Sequence, residues 1–390
     1  MKVLIAPMAA IAETSGPFTR AKALAIALLQ KGHIPAFCAA KDINYHPVEG
    51  VREYFAPLPS PMGLPMALGK RAFVIAQRLG VQQRRKVRSF EEVLFIVGAI
   101  HESFFTEDVS AVRKAIQHFK PDVVYVEFRP AAIVAAKKEN VRVAISYSYP
   151  ARKAYASSPQ YSGGAKRFLR GEGLPDIESV LDIFEWADLK VVPSCYELEP
   201  IDDPKVVFTG PFTTLAPQSP TSSPDKNAIV VYMGNGSLTY PRQLSVLKQA
   251  FQGMDYQLYI ASYQAKLADQ GNIHTAKRFD FRTLLPQAVA FINHGGQNSI
   301  LSGILSGTPQ IVFPGNVFER QYNATSIEQQ CLGKSYLDTE FNPAAIIQAV
   351  REMEQNTSYI ENIHRIQSQI LKLGGVDRAI QSLYDLCQVV

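Results

Sequence analysis

The stretch Phe291–Ala324, FINHGGQNSILSGILSGTPQIVFPGNVFERQYNA, constrains the fold of this chain more than any other. Phe291-Ile292-Asn293 reads as the end of a short buried strand, and His294-Gly295-Gly296 as a tight turn. From Gln297 to Leu305, the spacing of Ile300, Leu301, Ile304 and Leu305 predicts a helix with one apolar side. Gly307-Thr308-Pro309 stops it. Gln310–Phe313 reads as a second strand. Pro314–Arg320 is then a loop that opens another helix near Gln321. Strand, turn, helix, strand, loop and helix in this order make a unit of a parallel sheet.

Such a unit has a chemistry. Two glycines permit a sharp turn and close approach of a ligand to the backbone. The turn presents a helix N-terminus, whose N–H groups and positive dipole end favour an anion. His294, Asn298 and Ser299 add donors at the same place, and a diphosphate is the expected guest. A plainer reading also stands: a tight turn followed by an N-terminal cap. The second loop after Phe313 favours the functional reading.

With 390 residues, nearly half of them apolar, the chain is long enough for two domains of ordinary size. Thr213–Lys226, rich in proline and serine without apolar periodicity, predicts an exposed linker between domains 1–212 and 227–390. No run approaches the ~20 apolar residues of a membrane span. Met1–Ala12 reads as a first buried strand rather than a leader, because Glu13, Arg20 and Lys22 follow at once. Cys38, Cys195, Cys331 and Cys387 are scattered, which fits neither a disulfide framework nor a zinc site and suits a reducing cytosol. No metal site is expected, at Asp202-Asp203 or elsewhere. A formal charge of +5 permits anionic substrates without implying nucleic acid.

In the first domain, Lys2–Ala6 is a strand, Arg20–Lys31 a helix and Ile34–Ala39 a strand. The first turn lacks GxGxxG, so a nicotinamide-type fingerprint is absent. Asp42–Phe105 is less regular. Within it, 66–97 carries seven basic residues before Glu91, interleaved with apolar ones. That pattern suits either a solvated helix face or a lid meeting a lipid or an anionic membrane surface. Val109–Phe119 reads as a helix and Pro121–Val126 as a strand ending at Glu127. Phe128–Asn140 is a helix, Val141–Tyr147 a strand, and Ser148–Gly173 a loop. The second domain opens with strand Ala228–Tyr232 and the turn Met233–Ser237, where Gly236 and Ser237 offer another place for backbone N–H groups to meet phosphate.

The His-Gly-Gly-x-Asn-Ser motif at 294–299, the Gly-x-Pro at 307–309 and the Glu-x-x-x-Asn-Ala at 319–324 resemble the donor half of GT-B glycosyltransferases. The nearest likeness is to the nucleotide-sugar enzymes of family 1. The specific part covers 228–330; the N-terminal half resembles the family in layout. The resemblance implies an α/β chain of two Rossmann-like, doubly wound parallel-sheet domains facing a cleft. The first would bind an acceptor and the second a UDP- or dTDP-sugar, with the last helix crossing back. It implies a metal-independent, inverting transfer of a hexose-type sugar to a hydroxyl of a small-molecule or lipid acceptor. It also places the diphosphate at Gly236, Ser237, His294, Gly295, Gly296, Asn298 and Ser299, with Glu319 and Arg320 toward the sugar.

Departures from the family pattern are specific. The base histidine falls on Pro17, which leaves Glu13 or Glu127 as candidate bases, with Glu127 readable as a lone base, a partner to another group or a capped surface acid. The ribose-binding glutamate is Ser302. Lys277 stands where the base-stacking tryptophan does, and Phe279 is the nearest ring. A nucleotide-sugar 2-epimerase and a donor-binding relative without a base therefore stay open beside the transferase.

Overall fold

The structure is a computed structural model that describes residues 1–9, 16–69, 71, 75, 85–212, 226–234 and 236–388. Glu13, most of the basic stretch within 66–97 and most of the 213–226 linker lie outside the described residues. The chain divides into two compact units: Met1–Leu79, Val87–Thr213 and Leu373–Val390 belong to the first, and Thr214–Lys372 to the second.

The first unit holds a seven-stranded sheet in the order β3-β2-β1-β4-β5-β6-β7. The strands are β1 (Lys2–Pro7), β2 (Ile34–Ala39), β3 (Arg52–Phe55), β4 (Val123–Glu127), β5 (Arg142–Ser146), β6 (Leu189–Val192) and β7 (Val206–Phe208). All its pairings are parallel. Every residue of β4, VVYVE, is buried, as expected of a strand covered on both faces. Helix α1 (Pro17–Gln30) connects β1 to β2. Helices α2 (Phe90–Val97) and α3 (Glu102–Phe119) precede β4, and α4 (Pro130–Lys138) follows it. The C-terminal helix Gly375–Gln388 packs on this unit: Ala379, Ile380 and Leu383 join the cluster of Val3, Ile5, Leu24 and Phe37.

The second unit repeats the plan, with the order β10-β11-β9-β8-β12-β13-β14. Its strands are β8 (Ala228–Tyr232), β9 (Gln257–Ala261), β10 (Ala268–Gln270), β11 (Ile273–Ala276), β12 (Ala288–Asn293), β13 (Gln310–Val312) and β14 (Gly333–Ser335). Only the edge pair β10–β11 is antiparallel. Strand β8 shows why the sheet is covered twice. Ile229 and Val231 enter the larger core with Leu247, Ile292 and Val350, while Ala228 and Val230 face Leu285, Ala288 and Phe291. That is the two-residue alternation of a strand with an apolar layer on each side.

In both sheets the order reverses beside the first strand, between β1 and β4 and between β8 and β12. In an open parallel sheet the crevice at the carboxyl ends of such a strand pair is the ordinary ligand position.

Several elements differ from the sequence reading. Helix α3 starts at Glu102, seven residues earlier than the expected Val109. The supposed loop Ser148–Gly173 contains three short 3₁₀ turns and a helix, Gly163–Gly171. Strands β3 (REYF) and β14 (GKS) carry no apolar alternation; pairing with β2 and β13 puts them in the sheets.

Candidate active site

At the carboxyl ends of β8 and β12 the chain makes two adjacent loops, 233–237 and 294–296. The helix α8 (Gln297–Leu305) begins there. Gly296 is its N-cap residue and no side chain caps it; the Ser299 N–H donates to the Gly296 carbonyl at 2.9 Å, so the N–H groups at the very start of the helix are the natural partners of an anion. Ile300, Leu301, Ile304 and Leu305 are buried, as their spacing predicts.

The Gly-Gly turn is held by side chains the sequence did not flag. Gly295 has φ +78°, a conformation that glycine adopts without strain. Its N–H donates to Asn293 Oδ1 at 2.8 Å, and its carbonyl accepts from Asn323 Nδ2 at 2.8 Å. Asn293, fully buried, donates through Nδ2 to Gln310 Oε1 at 3.0 Å. Gln310 Nε2 donates in turn to the Ile300 carbonyl at 2.9 Å. One relay therefore runs from the turn, through two buried carboxamides, into α8. It also corrects the expectation for Gly295: its amide is engaged inside the protein, and the anion-facing amides begin at Gly296.

His294 is half-buried and lies between the two loops. A Cβ on Gly296 would come within 2.8 Å of its Nε2, and one on Gly234 within 3.0 Å of its Cε1. Nδ1 lies 3.4 Å from the Tyr232 carbonyl. A carbonyl only accepts, so Nδ1 carries the proton and Nε2 is left as an acceptor. Burial, and then the Arg320 guanidinium, push its pKa down to about 3. The expectation that this ring donates to a ligand is corrected: it is a neutral spacer that sets the width of the glycine loops.

The cation of the site is Arg320, in the first turn of the helix α9 (Phe318–Gln329). Its β-carbon and carbonyl pack on Gly295. Burial lowers its pKa, opposed by Glu319, Tyr232 and Asp338 nearby. Gln321 donates to the Gly315 carbonyl at 2.9 Å and closes the loop before α9. Asn298 is exposed and Ser299 buried. Ser302, at the ribose position, donates back to the Asn298 carbonyl at 2.7 Å. Ser237 Oγ is buried without a hydrogen-bond partner.

Aromatic rings line the carboxyl ends of β8 and β12 and continue toward β9 and β11. Tyr232 meets His294 edge-on at 5.7 Å and Phe281 at 5.6 Å. The expected Phe279 is half-buried and meets Tyr259, 5.5 Å away, which stacks on His274. Phe281, two residues on, is the ring joined to the glycine loops through Tyr232. Nothing in the spacing marked Tyr232 or Phe281 above other strand-end aromatics.

In the first unit, Glu127 ends β4 beside β1 and is wholly buried. Arg20 of α1 grips both carboxylate oxygens: Nε lies 3.1 Å and Nη2 2.8 Å from Oε2, and Nε lies 3.3 Å from Oε1. Tyr125 Oη donates to Oε1 at 3.1 Å. Burial raises the Glu127 pKa against the opposing pull of Arg20. The next residue, Phe128, holds φ +52°, a strained conformation for a bulky side chain. It stacks on Phe90 at 5.0 Å. This is a clamped carboxylate, and the lone-base expectation for Glu127 is corrected accordingly. The other candidate, Glu13, is outside the described residues.

Comparison with known proteins agrees with this fold. Residues 260–374 match the family described as erythromycin biosynthesis protein CIII-like, C-terminal domain. The NDP-glycosyltransferase YjiC of Bacillus subtilis (strain 168) is 23% identical over 226 residues, 55% of this chain and 57% of that protein's own length. Its counterpart in Bacillus licheniformis is 22% identical over 289 residues, covering 68% and 72%. Among solved structures, the glycotransferase of kitacinnamycin superposes with a TM-score of 0.75 at 16% identity, covering 98% of both chains. The spinosyn rhamnosyltransferase SpnG complexed with thymidine diphosphate gives 0.69 at 15% identity, over 98% of this chain and all of that one. The chain has the GT-B fold, and through its matched C-terminal stretch and these relatives it is similar to nucleotide-sugar glycosyltransferases of family 1.

Proposed function

We propose that this chain transfers a hexose-type sugar from a nucleotide diphosphate donor to a hydroxyl of a small-molecule acceptor, with inversion. The observation that carries the reading is the helix N-terminus at Gly296–Ser299. It lacks a side-chain cap, lies at the strand-order reversal of the second sheet, and stands beside Arg320 and the orphaned Ser237 hydroxyl. The diphosphate sits there, and the nucleoside runs toward Tyr232 and Phe281. As the acceptor oxygen bonds to the anomeric carbon, the bond from that carbon to the phosphate oxygen breaks. The acceptor proton passes to a base, and the negative charge moves onto the leaving diphosphate. Helix amides and Arg320 stabilise that charge, so a metal ion is not required for this step.

A nucleoside diphosphate donor is in keeping with the thymidine diphosphate bound to one fold neighbour. The buried free thiols Cys38 and Cys195 fit a reducing cytosol. Among the described residues, no helix is long and apolar enough to cross a membrane.

The test is calorimetric titration of the full chain with UDP, dTDP and their glucose conjugates. Gly296→Asp drives a side chain into His294 and places a competing carboxylate at the helix end. At least a ten-fold loss of nucleotide affinity is expected; unchanged binding would remove the diphosphate from this turn. One observation favours a second reading, a donor-binding protein without transfer: Glu127 is held by Arg20 rather than poised as a base. Turnover of a bound donor with a panel of hydroxyl acceptors separates the two. The relatives named above are glycosyltransferases.

A further inference from the structure

Two buried oxygen atoms of the second unit have no hydrogen-bond partner and flank one glycine. Ser237 Oγ and Asp338 Oδ1 are both orphaned. A Cβ on Gly315 would collide with Ser237 Oγ and lie 3.5 Å from Asp338 Oδ2. Gly315 follows β13 and Asp338 follows β14, so both belong to the carboxyl edge of the sheet, where β8 delivers Ser237. Asp338 is held there by backbone, since Arg242 Nη2 donates to its carbonyl at 2.9 Å. Its carboxylate lies near enough to Arg320 to oppose part of the burial that lowers that residue's pKa.

A buried carboxylate oxygen without a donor is costly and uncommon in a finished structure. Its counterpart must be a donor, and charge excludes a phosphate. Tyr232 and Phe281 stand at β8 and β12, with Tyr259 and Phe279 farther out toward β9 and β11, whereas Phe313 and Phe341 at the ends of β13 and β14 are buried in the core and offer a base no face. With the nucleobase among the rings and the diphosphate at Gly296, the part of the donor that reaches β14 is the sugar. We infer that Asp338 is a specificity-determining residue that accepts a hydrogen bond from a hydroxyl of the donor sugar, with Ser237 donating to the adjacent phosphate across Gly315. This inference rests on the donor-site reading above and extends it to a residue that the motif does not include.

The experiment compares nucleoside diphosphate with nucleotide sugar in the full chain, by calorimetry with UDP, UDP-glucose, dTDP and dTDP-glucose. Asp338→Ala is expected to weaken the glucose conjugate about ten-fold or more while leaving the bare diphosphate unchanged, as befits loss of one charged hydrogen bond. Asp338→Asn, which keeps an acceptor without the charge, should fall between. Ser237→Ala is expected to weaken both ligands alike. Equal loss of both ligands in Asp338→Ala would assign the carboxylate to the ribose and overturn the inference. No loss of either would show that the oxygen meets only water, and would also overturn it. If wild-type chain binds no nucleotide at all, the donor site itself falls; that outcome is distinct from a donor site in which Asp338 plays no part. A melting curve of Asp338→Ala at or above the wild-type midpoint shows that a lost affinity is not lost folding.

Discussion

Replacing Asn293 by alanine removes the middle of the relay that fixes the Gly-Gly turn. Two groups would lose their partners: the Gly295 N–H, 2.8 Å from Asn293 Oδ1, and Gln310 Oε1, 3.0 Å from Asn293 Nδ2. Gln310 is wholly buried and Gly295 is buried as well, so water cannot readily replace what is lost. At about 1–3 kcal/mol for each buried group left unpaired, the cost is about 3–4 kcal/mol. For a unit of this size, that corresponds to a fall of roughly 6–16 °C in the melting midpoint. The relay also has a direction. Asn293→Asp keeps the acceptor for Gly295 but sets a carboxylate oxygen against Gln310 Oε1. If the Gln310 amide turns over to donate to it, its oxygen then faces the Ile300 carbonyl, where Nε2 now donates. The near-isosteric aspartate is therefore expected to destabilise as much as alanine. Differential scanning calorimetry of Asn293→Ala, Asn293→Asp, Gln310→Ala and the Asn293→Ala/Gln310→Ala pair measures this. The double variant should cost less than the sum of its singles, because each single strands the other's partner. Nucleotide affinity should fall with the singles, since the turn carries the anion-facing amides. Strictly additive losses, or an aspartate variant as stable as wild type, would refute the relay.

Two further outcomes follow from buried charge. Glu127→Gln leaves the Arg20 guanidinium buried against a neutral amide and should cost about 3–5 kcal/mol, whereas Arg20→Met combined with Glu127→Leu should recover most of it; urea unfolding decides, and a harmless Glu127→Gln would mean the pair is not clamped. His294 has its folded pKa pushed down to about 3 from an ordinary value near 6.5. Between those values the unfolded chain binds the extra proton, so stability rises with pH across that window, is fully present above it, and is lost as pH falls toward 3. His294→Gln should flatten that part of the stability–pH curve, and an unaltered slope would contradict the neutral, enclosed ring.

The sequence alone determined a good deal. Its apolar runs, long enough for strands and covered on both faces, dictated parallel sheets. The helical spacing of Ile300, Leu301, Ile304 and Leu305 dictated α8. The paired glycines after a strand dictated a tight turn into a helix, because local backbone geometry leaves few alternatives. Tertiary structure alone decided what each polar group there has left to offer. Asn293 claims the Gly295 amide from two residues away, but it is fixed for that by Gln310, seventeen residues on. Tyr232, sixty-two residues earlier, decides which nitrogen of His294 holds the proton. Arg20 reaches Glu127 across one hundred and seven residues. Likewise, β3 and β14 are strands because β2 and β13 offer them partners. Periodicity records which side of an element meets the core. Hydrogen-bond capacity depends on which atoms arrive from elsewhere in the chain, and only the folded sheet brings them together.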